Sequence, residues 1–418
     1  MYLLRRKVYG LGEALISGFQ LKKLKREIEA SHRDQTPPIE ERLKAFLKKW
    51  DLGPNLQDVT TQSKEEVRDL FVKNNAGAKA AKFAYTGGST GIPLKIPLSR
   101  RQDLIRKASM SFYNSLAGYH LGDPYLFVRV KDRGWLEKKL RREYAFLPQK
   151  LSEQTLEALY ETLTEKRVEI IIGHASVGTR LSEYLIKKHA GGTLPNVRGI
   201  ITCSEPLTAY QTELMRIVFT DATILSRYSN EEVGVIAHQF EPGGPLVTDK
   251  FSTYVEVVDP ISLKPVKAGE SGIVLVTDLF SEIFPICRYQ TGDIAVVDRF
   301  EDGYATSIRA VSGRTVEQIF SALREPVSSL SLGPSIHKPL SNEGILCRYQ
   351  FTQLSEKVYK VNFSVGDSKV PAVVIGKIEQ GLKEILGEEA IIRFTFQEEF
   401  VRRDSGKTPI YVNKTLFS

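Results

Sequence analysis

The sequence runs to 418 residues, 42% hydrophobic and 26% charged, which excludes a disordered tail protein, a collagen and a small disulfide-stapled module. Three cysteines, Cys203, Cys287 and Cys347, stand far apart with no CxxC pair, so reduced thiols are expected rather than a disulfide framework or a zinc ribbon. The net charge is +8, and the first fifty residues hold twelve Lys and Arg against six Asp and Glu, an excess that suits an anionic partner or simply a solvated helical face.

That length predicts two or three domains with room for a substantial core. No apolar run approaches the ~18 residues that cross a bilayer. Met1-Tyr2-Leu3-Leu4 precedes Arg5-Arg6-Lys7, the reverse of a signal peptide's order, so a cytoplasmic location is expected. The same basic N-terminus leaves a weak association with a membrane surface open. There is no arginine-rich arm, RNP motif or zinc finger, and nucleic acid is not expected as a partner.

In chain order, Leu21, Leu24 and Ile28, then Leu43, Phe46 and Leu47, recur at helical spacing, and Thr36-Pro37-Pro38 separates the two helices. From about residue 165 strands and helices alternate. Val168–Ile172 is a buried strand, Ser176 caps a helix carrying Leu181, Leu185 and Ile186, and Gly191-Gly192 ends it. Val197–Ile201 is a second strand, Thr208–Phe219 a helix and Thr223–Leu225 a third strand. Short connections between such units predict a parallel α/β sheet, whose ligands bind beyond the carboxyl ends of its strands. Cys203-Ser204-Glu205-Pro206 and Arg227-Tyr228-Ser229-Asn230 fall at those ends.

After residue 250 antiparallel strands are expected, with Tyr254–Val258 and Gly272–Thr277 the clearest. The last hundred residues read as self-contained: a hairpin of Ile345–Thr352 and Val358–Val365, a helix over Pro371–Leu386 and a strand over Ala390–Phe396. A boundary is expected near Ser312-Gly313-Arg314.

The segment Tyr85-Thr86-Gly87-Gly88-Ser89-Thr90-Gly91-Ile92-Pro93-Leu94-Lys95 interleaves three glycines with hydroxyl residues. Its backbone N–H groups can converge on phosphate oxygens, with the hydroxyls as neutral donors. No Gly-Lys-[Ser/Thr] follows at Walker A spacing, and alone the segment reads equally well as a hairpin turn. His174 beside Ser176 suggests a nucleophile with its base, but no acid is placed to support them, and a hydrolase is not expected.

Thr86–Pro93 resembles the phosphate loop of adenylate-forming enzymes, the superfamily of acyl-CoA synthetases, peptide-synthetase adenylation domains and luciferases. Cys203-Ser204-Glu205-Pro206-Leu207 looks like the family's adenine-side loop. Arg227-Tyr228-Ser229-Asn230-Glu231-Glu232 resembles its Tyr-Gly-x-Thr-Glu motif, and Arg288-Tyr289-Gln290-Thr291-Gly292-Asp293 its Tyr-x-Thr-Gly-Asp motif. Gly313-Arg314 looks like the interdomain hinge and Ser405-Gly406-Lys407 like the segment of the catalytic lysine. All six occur in family order. Tyr-Ser-Asn-Glu-Glu-Val-Gly and the overall length are similar to the phenylacetate–CoA ligase-like branch, including relatives associated with capsular polysaccharide synthesis.

The resemblance implies a large N-terminal α/β domain with parallel and antiparallel sheets over 1–313, and a small mobile α+β domain over 314–418. It implies ATP, Mg²⁺, a small carboxylic acid and coenzyme A as ligands. Thr86, Gly87, Gly88, Ser89, Thr90 and Gly91 would hold the β- and γ-phosphates. Ser204, Glu205 and Pro206 would lie on the adenine side, and Tyr228 would offer adenine an aromatic face, with Arg227 and Ser229 also ATP-binding. Asp293 would accept from both ribose hydroxyls, and Arg314 would touch ribose or phosphate. Glu232, which aligns with the family's motif glutamate, is the implied metal ligand, with adjacent Glu231 either facing the metal too or pointing to solvent; magnesium usually keeps several waters beside one carboxylate. Lys407 would stabilise charge as the carboxylate attacks the α-phosphate, and would leave the site before thioester formation.

Departures from the family pattern carry their own expectations. Leu94 stands where the family has lysine directly after proline, so Lys95 does not inherit that role. Ser229 replaces a glycine, Glu231 a threonine, and Val316 stands where a polar hinge residue is common. Some relatives carry a Cys/His zinc site, whose cysteines are absent from 239–241 and 309–313, so no zinc is expected. The expected reaction is formation of an acyl-adenylate and pyrophosphate, followed by transfer to coenzyme A. The alternatives are transfer to an amine or hydroxyl acceptor, including one on a glycan intermediate, and a degenerate relative that binds nucleotide without catalysis. Pyrophosphate release separates the enzymes from the last of these.

Overall fold

The computed structural model describes the chain except residues 1–19, 35–37, 86–93, 129–137, 140, 147–150, 189–192, 302, 315–318, 325, 328, 346, 365–369, 398–399, 402–409 and 416–418. The expected phosphate loop Thr86–Gly91, Val316 and Lys407 lie outside the described residues, as does the side chain of Arg314. The strands in chain order are β1 (Lys82–Tyr85), β2 (Lys95–Leu98), β3 (Tyr125–Val128), β4 (Glu143–Phe146), β5 (Ile170–Gly173), β6 (Gly199–Cys203), β7 (Thr223–Asn230), β8 (Gly234–Gln239), β9 (Leu246–Thr248), β10 (Thr253–Val258), β11 (Ser271–Asp278), β12 (Tyr289–Glu301) and β13 (Tyr304–Arg314). There follow β14 (Ile319–Phe320), β15 (Pro326–Val327), β16 (Arg348–Gln353), β17 (Val358–Ser364), β18 (Ile391–Phe396) and β19 (Tyr411–Asn413).

The chain divides into two compact units, residues 1–207 with 215–311, and residues 208–214 with 312–418. The first contains an eleven-stranded sheet of order β10-β11-β12-β13-β9-β8-β7-β6-β5-β3-β4. From β7 through β6, β5 and β3 to β4 the pairing is parallel, and from β7 to β8 it turns antiparallel. Every residue of β5 and β6 is buried, as a parallel strand covered on both faces requires. Gly173 is obligatory there: a Cβ would lie 2.3 Å from the Cβ of Val128 on neighbouring β3. Leu156, Leu163, Leu181 and Leu185 of the covering helices pack with Ile171 and Ile200 in one core. A second core under the antiparallel half gathers Val255, Val257, Val274 and Val276 with Phe46 and Leu47 of the helix Ile39–Trp50.

Element ends move for identifiable reasons. The strand expected from Val168, β5, begins at Ile170, because the Val168 amide returns to Leu163 O and closes the preceding helix. The next helix spans Ala175–Lys188, so Ser176 lies in its first turn and is not the cap. Thr208 does cap the helix Ala209–Val218: its hydroxyl accepts from the Gln211 amide while Gln211 Oε1 accepts from the Thr208 amide. The largest change is in β7, which continues to Asn230. β8 folds back antiparallel along it from Arg227↔His238 to Asn230↔Gly234, lengthening the strand past β6, whose last partner is Arg227. The segment 227–230 is therefore strand, not a loop beyond one.

The second unit pairs a four-stranded sheet, β18-β17-β16-β19, with the helices Ser329–Asn342 and Ala372–Leu386. β16 and β17 form the expected antiparallel hairpin, and β18 lies parallel to β17. Phe351, Tyr359, Val361 and Phe363 face Ile378, Leu382 and Leu386 in its core. Among the described residues no helix is long and apolar enough to cross a membrane.

Candidate nucleotide site

The segment that ends β7 and the segment that begins β12 are joined by two hydrogen bonds running in opposite senses. The Tyr228 hydroxyl donates to Asp293 Oδ2 at 2.6 Å and lies 3.1 Å from Thr291 Oγ1. The Tyr289 hydroxyl donates to Glu232 Oε1 at 2.9 Å. Each segment thus supplies one tyrosine and one acid. Burial, then the neighbouring Asp293 carboxylate, pushes the Tyr228 hydroxyl well above the ordinary phenol range, so it stays protonated as a donor.

Asp293 projects from the sheet because the ladder between β11 and β12 breaks at this point. Leu275 pairs with Gln290 and Ile273 with Ile294, leaving three residues, 291–293, opposite Val274 alone. Gly292 takes φ +78°, open to glycine without strain. The Thr291 hydroxyl ties the turn by donating to Val274 O and accepting from the Asp293 amide, both at 3.1 Å. Thr-Gly-Asp is therefore a bulge that presents one carboxylate.

The residue before this motif anchors it. Arg288, in the left-handed region at φ +46°, sends its buried guanidinium to Glu256 and to the carbonyls of Gln57 and Val59. The Gln62 amide donates to Arg288 O, and the Gln290 amide returns a hydrogen bond to Gln62 O. A stretch more than two hundred positions upstream thus holds the start of β12.

The two adjacent glutamates are distinguished by burial. Glu231 is exposed, whereas Glu232 is 8% exposed with Oε1 on Tyr289. The Val233 amide donates to Asn230 Oδ1, shaping the intervening turn. Arg106, from the helix Arg100–Leu116, donates to the carbonyls of both Glu231 and Glu232 and pairs with Asp278 at 3.7 Å. Among the described residues no group of three or more His, Cys, Asp and Glu could hold a metal. A lone, oriented carboxylate is a donor that fits Mg²⁺ when phosphate oxygens and waters complete the octahedron.

The adenine-side residues divide. Ser204 and Pro206 are exposed at the end of β6, with Ser204 at φ +69° turning the chain. That turn carries Glu205 back to the first turn of Ala175–Lys188, where its two oxygens accept from the Ser176 amide at 2.9 Å and hydroxyl at 3.1 Å. A carboxylate at a helix N-terminus is a stabilising cap, so Glu205 shapes this loop. Tyr228 and Ser229 are half-buried on β7. Arg227 differs from expectation. Strand alternation turns it away from Tyr228, and at 4% exposure its Nη1 donates to Asn114 Oδ1 at 2.8 Å. Its side chain ties β7 to the helix Arg100–Leu116.

β1 and β2 pair antiparallel and carry the segment 86–93 between them. The Lys95 ammonium sits 3.8 Å from the centroid of the Phe83 ring and 5.8 Å from that of Phe71. Lys95→Met is expected to cost about 0.5–1 kcal/mol of stability, the worth of an accessible cation–π contact, and to leave ATP affinity within twofold. Thermal melts alongside calorimetric titration check both halves; a large loss of affinity would return to Lys95 the role that Leu94 displaces.

Sequence motifs named Tyr289 but assigned it no task, and nothing in the sequence pointed to Arg106, Gln62 or Asn114. Their parts depend on contacts between segments 125 or more positions apart in the case of Arg106, and farther for Gln62. The signal that could have found Tyr289 was its position beside the Thr-Gly-Asp turn, facing the segment that holds Glu232.

A scan of protein-family models matches none to this chain, and a search of curated proteins likewise finds no match. Solved structures do match. 2-Hydroxyisobutyryl-CoA ligase in the postadenylation state aligns over 95% of this chain and 90% of its own, at 15% identity and a TM-score of 0.64. The anthranilate CoA ligase AuaEII in complex with anthranoyl-AMP aligns over 78% of this chain and 64% of its own, at 16% identity and a TM-score of 0.56. ATP-bound MatB from Rhodopseudomonas palustris aligns over 78% and 66%, at 18% identity and a TM-score of 0.51. This chain shares its fold with 2-hydroxyisobutyryl-CoA ligase over 95% of its length, and with the anthranilate CoA ligase and MatB over 78%.

Proposed function

We propose that the protein is an ATP- and Mg²⁺-dependent ligase that joins a small carboxylic acid to AMP, releases pyrophosphate and passes the acyl group to coenzyme A. The observation that carries this reading is the pairing of Tyr228 with Asp293. A donor-locked aromatic ring and a carboxylate meet at the carboxyl end of the parallel half of the sheet, where α/β folds bind ligands. The ring offers a face for adenine, and the carboxylate accepts from ribose hydroxyls. The proteins with which it shares its fold include one solved with ATP and one with an acyl-AMP, which supports the same assignment.

In this reading residues 1–313 bind ATP and acid, and residues 314–418 carry Lys407. Ser204, Pro206, Tyr228 and Ser229 border the base, Thr86–Gly91 hold the phosphates, and Arg314 reaches ribose or phosphate. Glu232 is the protein's ligand to magnesium, which supplies charge neutralisation on the phosphates. The carboxylate of the acid attacks the α-phosphorus, a P–O bond forms, and the bond to pyrophosphate breaks. Lys407 stabilises the charge that accumulates on the α-phosphoryl oxygens in between. The acyl carbon of the adenylate is then attacked by a thiolate, and AMP leaves.

Incubation with ATP and a panel of aryl, fatty, amino and hydroxy acids is expected to release pyrophosphate, not orthophosphate, with at least one acid. Addition of coenzyme A is expected to convert the adenylate to a thioester detectable by mass spectrometry. Tight ATP binding with no turnover over a broad panel would instead make the protein a nucleotide-binding module. Turnover that ignores coenzyme A but consumes an amine or hydroxyl compound would reassign only the acceptor.

A further inference from the structure

The two hydrogen bonds that join the 228–232 and 289–293 segments are reciprocal. Tyr228 of the first holds Asp293 of the second at 2.6 Å, and Tyr289 of the second holds Glu232 of the first at 2.9 Å. Tyr289 is 3% exposed and Glu232 8% exposed, so this arm is shielded from competing water. Both backbones are tethered independently: Arg106 donates to the carbonyls of Glu231 and Glu232, and Arg288 and Gln62 fix the start of β12. Two rotatable bonds in Asp293 and three in Glu232 leave each carboxylate, even on a clamped backbone, in need of a partner that sets its orientation. In each case that partner is the tyrosine of the opposite segment.

We propose that Tyr289 and Tyr228 form a crossed pair of positioning residues. Tyr289 aims Glu232 at a divalent cation, and Tyr228 aims Asp293 at the nucleoside sugar. This rests on the reading of the site as a nucleotide site. It extends that reading by giving the cation arm a residue that no motif assigns, and by dividing the pair's work. With Tyr289 on Oε1, the carboxylate's rotation is fixed for metal ligation. With Tyr228 on Oδ2, Asp293 is held in the bulge, and a carboxylate's two oxygens can accept from more than one donor at a time, as a diol requires. The two tyrosines are then separable by ligand: one acts on metal affinity, the other on nucleoside affinity.

The test uses the full chain with Tyr228→Phe and Tyr289→Phe, AMP in EDTA as the sugar probe, and Mn²⁺ titrated into the protein–ATP complex as the metal probe. AMP binding is read by calorimetry and Mn²⁺ by its electron paramagnetic resonance signal. Tyr289→Phe is expected to weaken Mn²⁺ binding roughly tenfold, the scale of one hydrogen bond to a charged acceptor, and to leave AMP affinity within twofold. Tyr228→Phe is expected to do the reverse. In a Glu232→Gln background Tyr289→Phe should change Mn²⁺ affinity no further, because its effect runs through that carboxylate. Thermal melts of each variant identify a folding defect, and the cycle with Glu232→Gln separates positioning from general loosening. Equal loss of both affinities in either variant would overturn the proposal and make the hydroxyls mere packing. So would unchanged affinities, or an undiminished Tyr289→Phe effect beside Glu232→Gln. If the unmodified protein bound AMP and released pyrophosphate while the tyrosine variants behaved like it, only this proposal would fall. If the unmodified protein bound neither AMP nor ATP, the nucleotide reading would fall and take the proposal with it.

Discussion

Asp293→Ala is expected to weaken AMP and ATP binding on the order of a hundredfold. The carboxylate is assigned to both ribose hydroxyls, and two hydrogen bonds to a charged acceptor at about 1.5 kcal/mol each reach that scale. The structure adds a second loss, because the substitution also removes the acceptor of the buried Tyr228 hydroxyl. Asp293→Asn separates the two. Its amide oxygen can still accept from Tyr228, so a ring held in place but deprived of a charged diol acceptor should recover part of the affinity. Calorimetric titration of AMP without metal measures both variants free of any contribution from Glu232. A dissociation constant unchanged in Asp293→Ala would show that Thr291-Gly292-Asp293 is a sheet bulge and nothing more. An equal loss in both variants would place the whole effect in the charge and none in the tyrosine's alignment.

The parallel half of the sheet was legible because its signals are local. Unbroken apolar runs such as Ile170–Ile172, short turns and capping hydroxyls each announce an element within a dozen residues. The helix expected over Thr208–Phe219 is found over Ala209–Val218, with Thr208 as its cap rather than its first residue. The extension of β7 was not legible, since between 226 and 230 Tyr228 alone favours strand by composition. It is strand because β8, several residues later, supplies the ladder. The partner of Arg227 was hidden for a related reason. In a loop an arginine beside a tyrosine can face the same ligand, but once both lie on one strand they must face opposite ways, and Arg227 meets Asn114 instead. The choice between Glu231 and Glu232 was legible in part. Motif register favours Glu232, and the structure separates the two acids physically: Glu231 is exposed, whereas Glu232 is buried with Oε1 on Tyr289. What could be read was the set of residue types the chemistry needs; what could not was which long-range partner orients each one.

Lys407→Ala is expected to slow adenylation by about 10²–10³ while leaving ATP affinity nearly intact. Residues 402–409 lie outside the described residues, so this expectation rests on the sequence and on the chemistry. Ser405-Gly406-Lys407 resembles the catalytic-lysine segment, and glycine's wide backbone freedom is a sequence feature suited to delivering a long cationic side chain to a reacting group. The charge it meets grows only as the carboxylate closes on phosphorus, so the lysine contributes to the transition state and little to the ground state. Loss of one such preorganised donor typically costs about 10²–10³ in kcat. Asp293 and the tyrosine that holds it would keep ATP bound in the variant, which is why KM for ATP should hardly move. Single-turnover measurement of adenylate formation checks the first half-reaction, and thioester formation from a supplied acyl-adenylate checks the second. The resemblance implies that the lysine leaves the site before the second step, which should therefore survive. Full adenylation in the variant would make Lys407 a solvated tail residue. Equal loss of both half-reactions, with a lowered melting temperature, would instead point to a structural part in the C-terminal unit. Lys407→Arg is the discriminating companion: it keeps the charge but spreads it over a planar fork that cannot act as a point donor, so it should recover stability without recovering the rate.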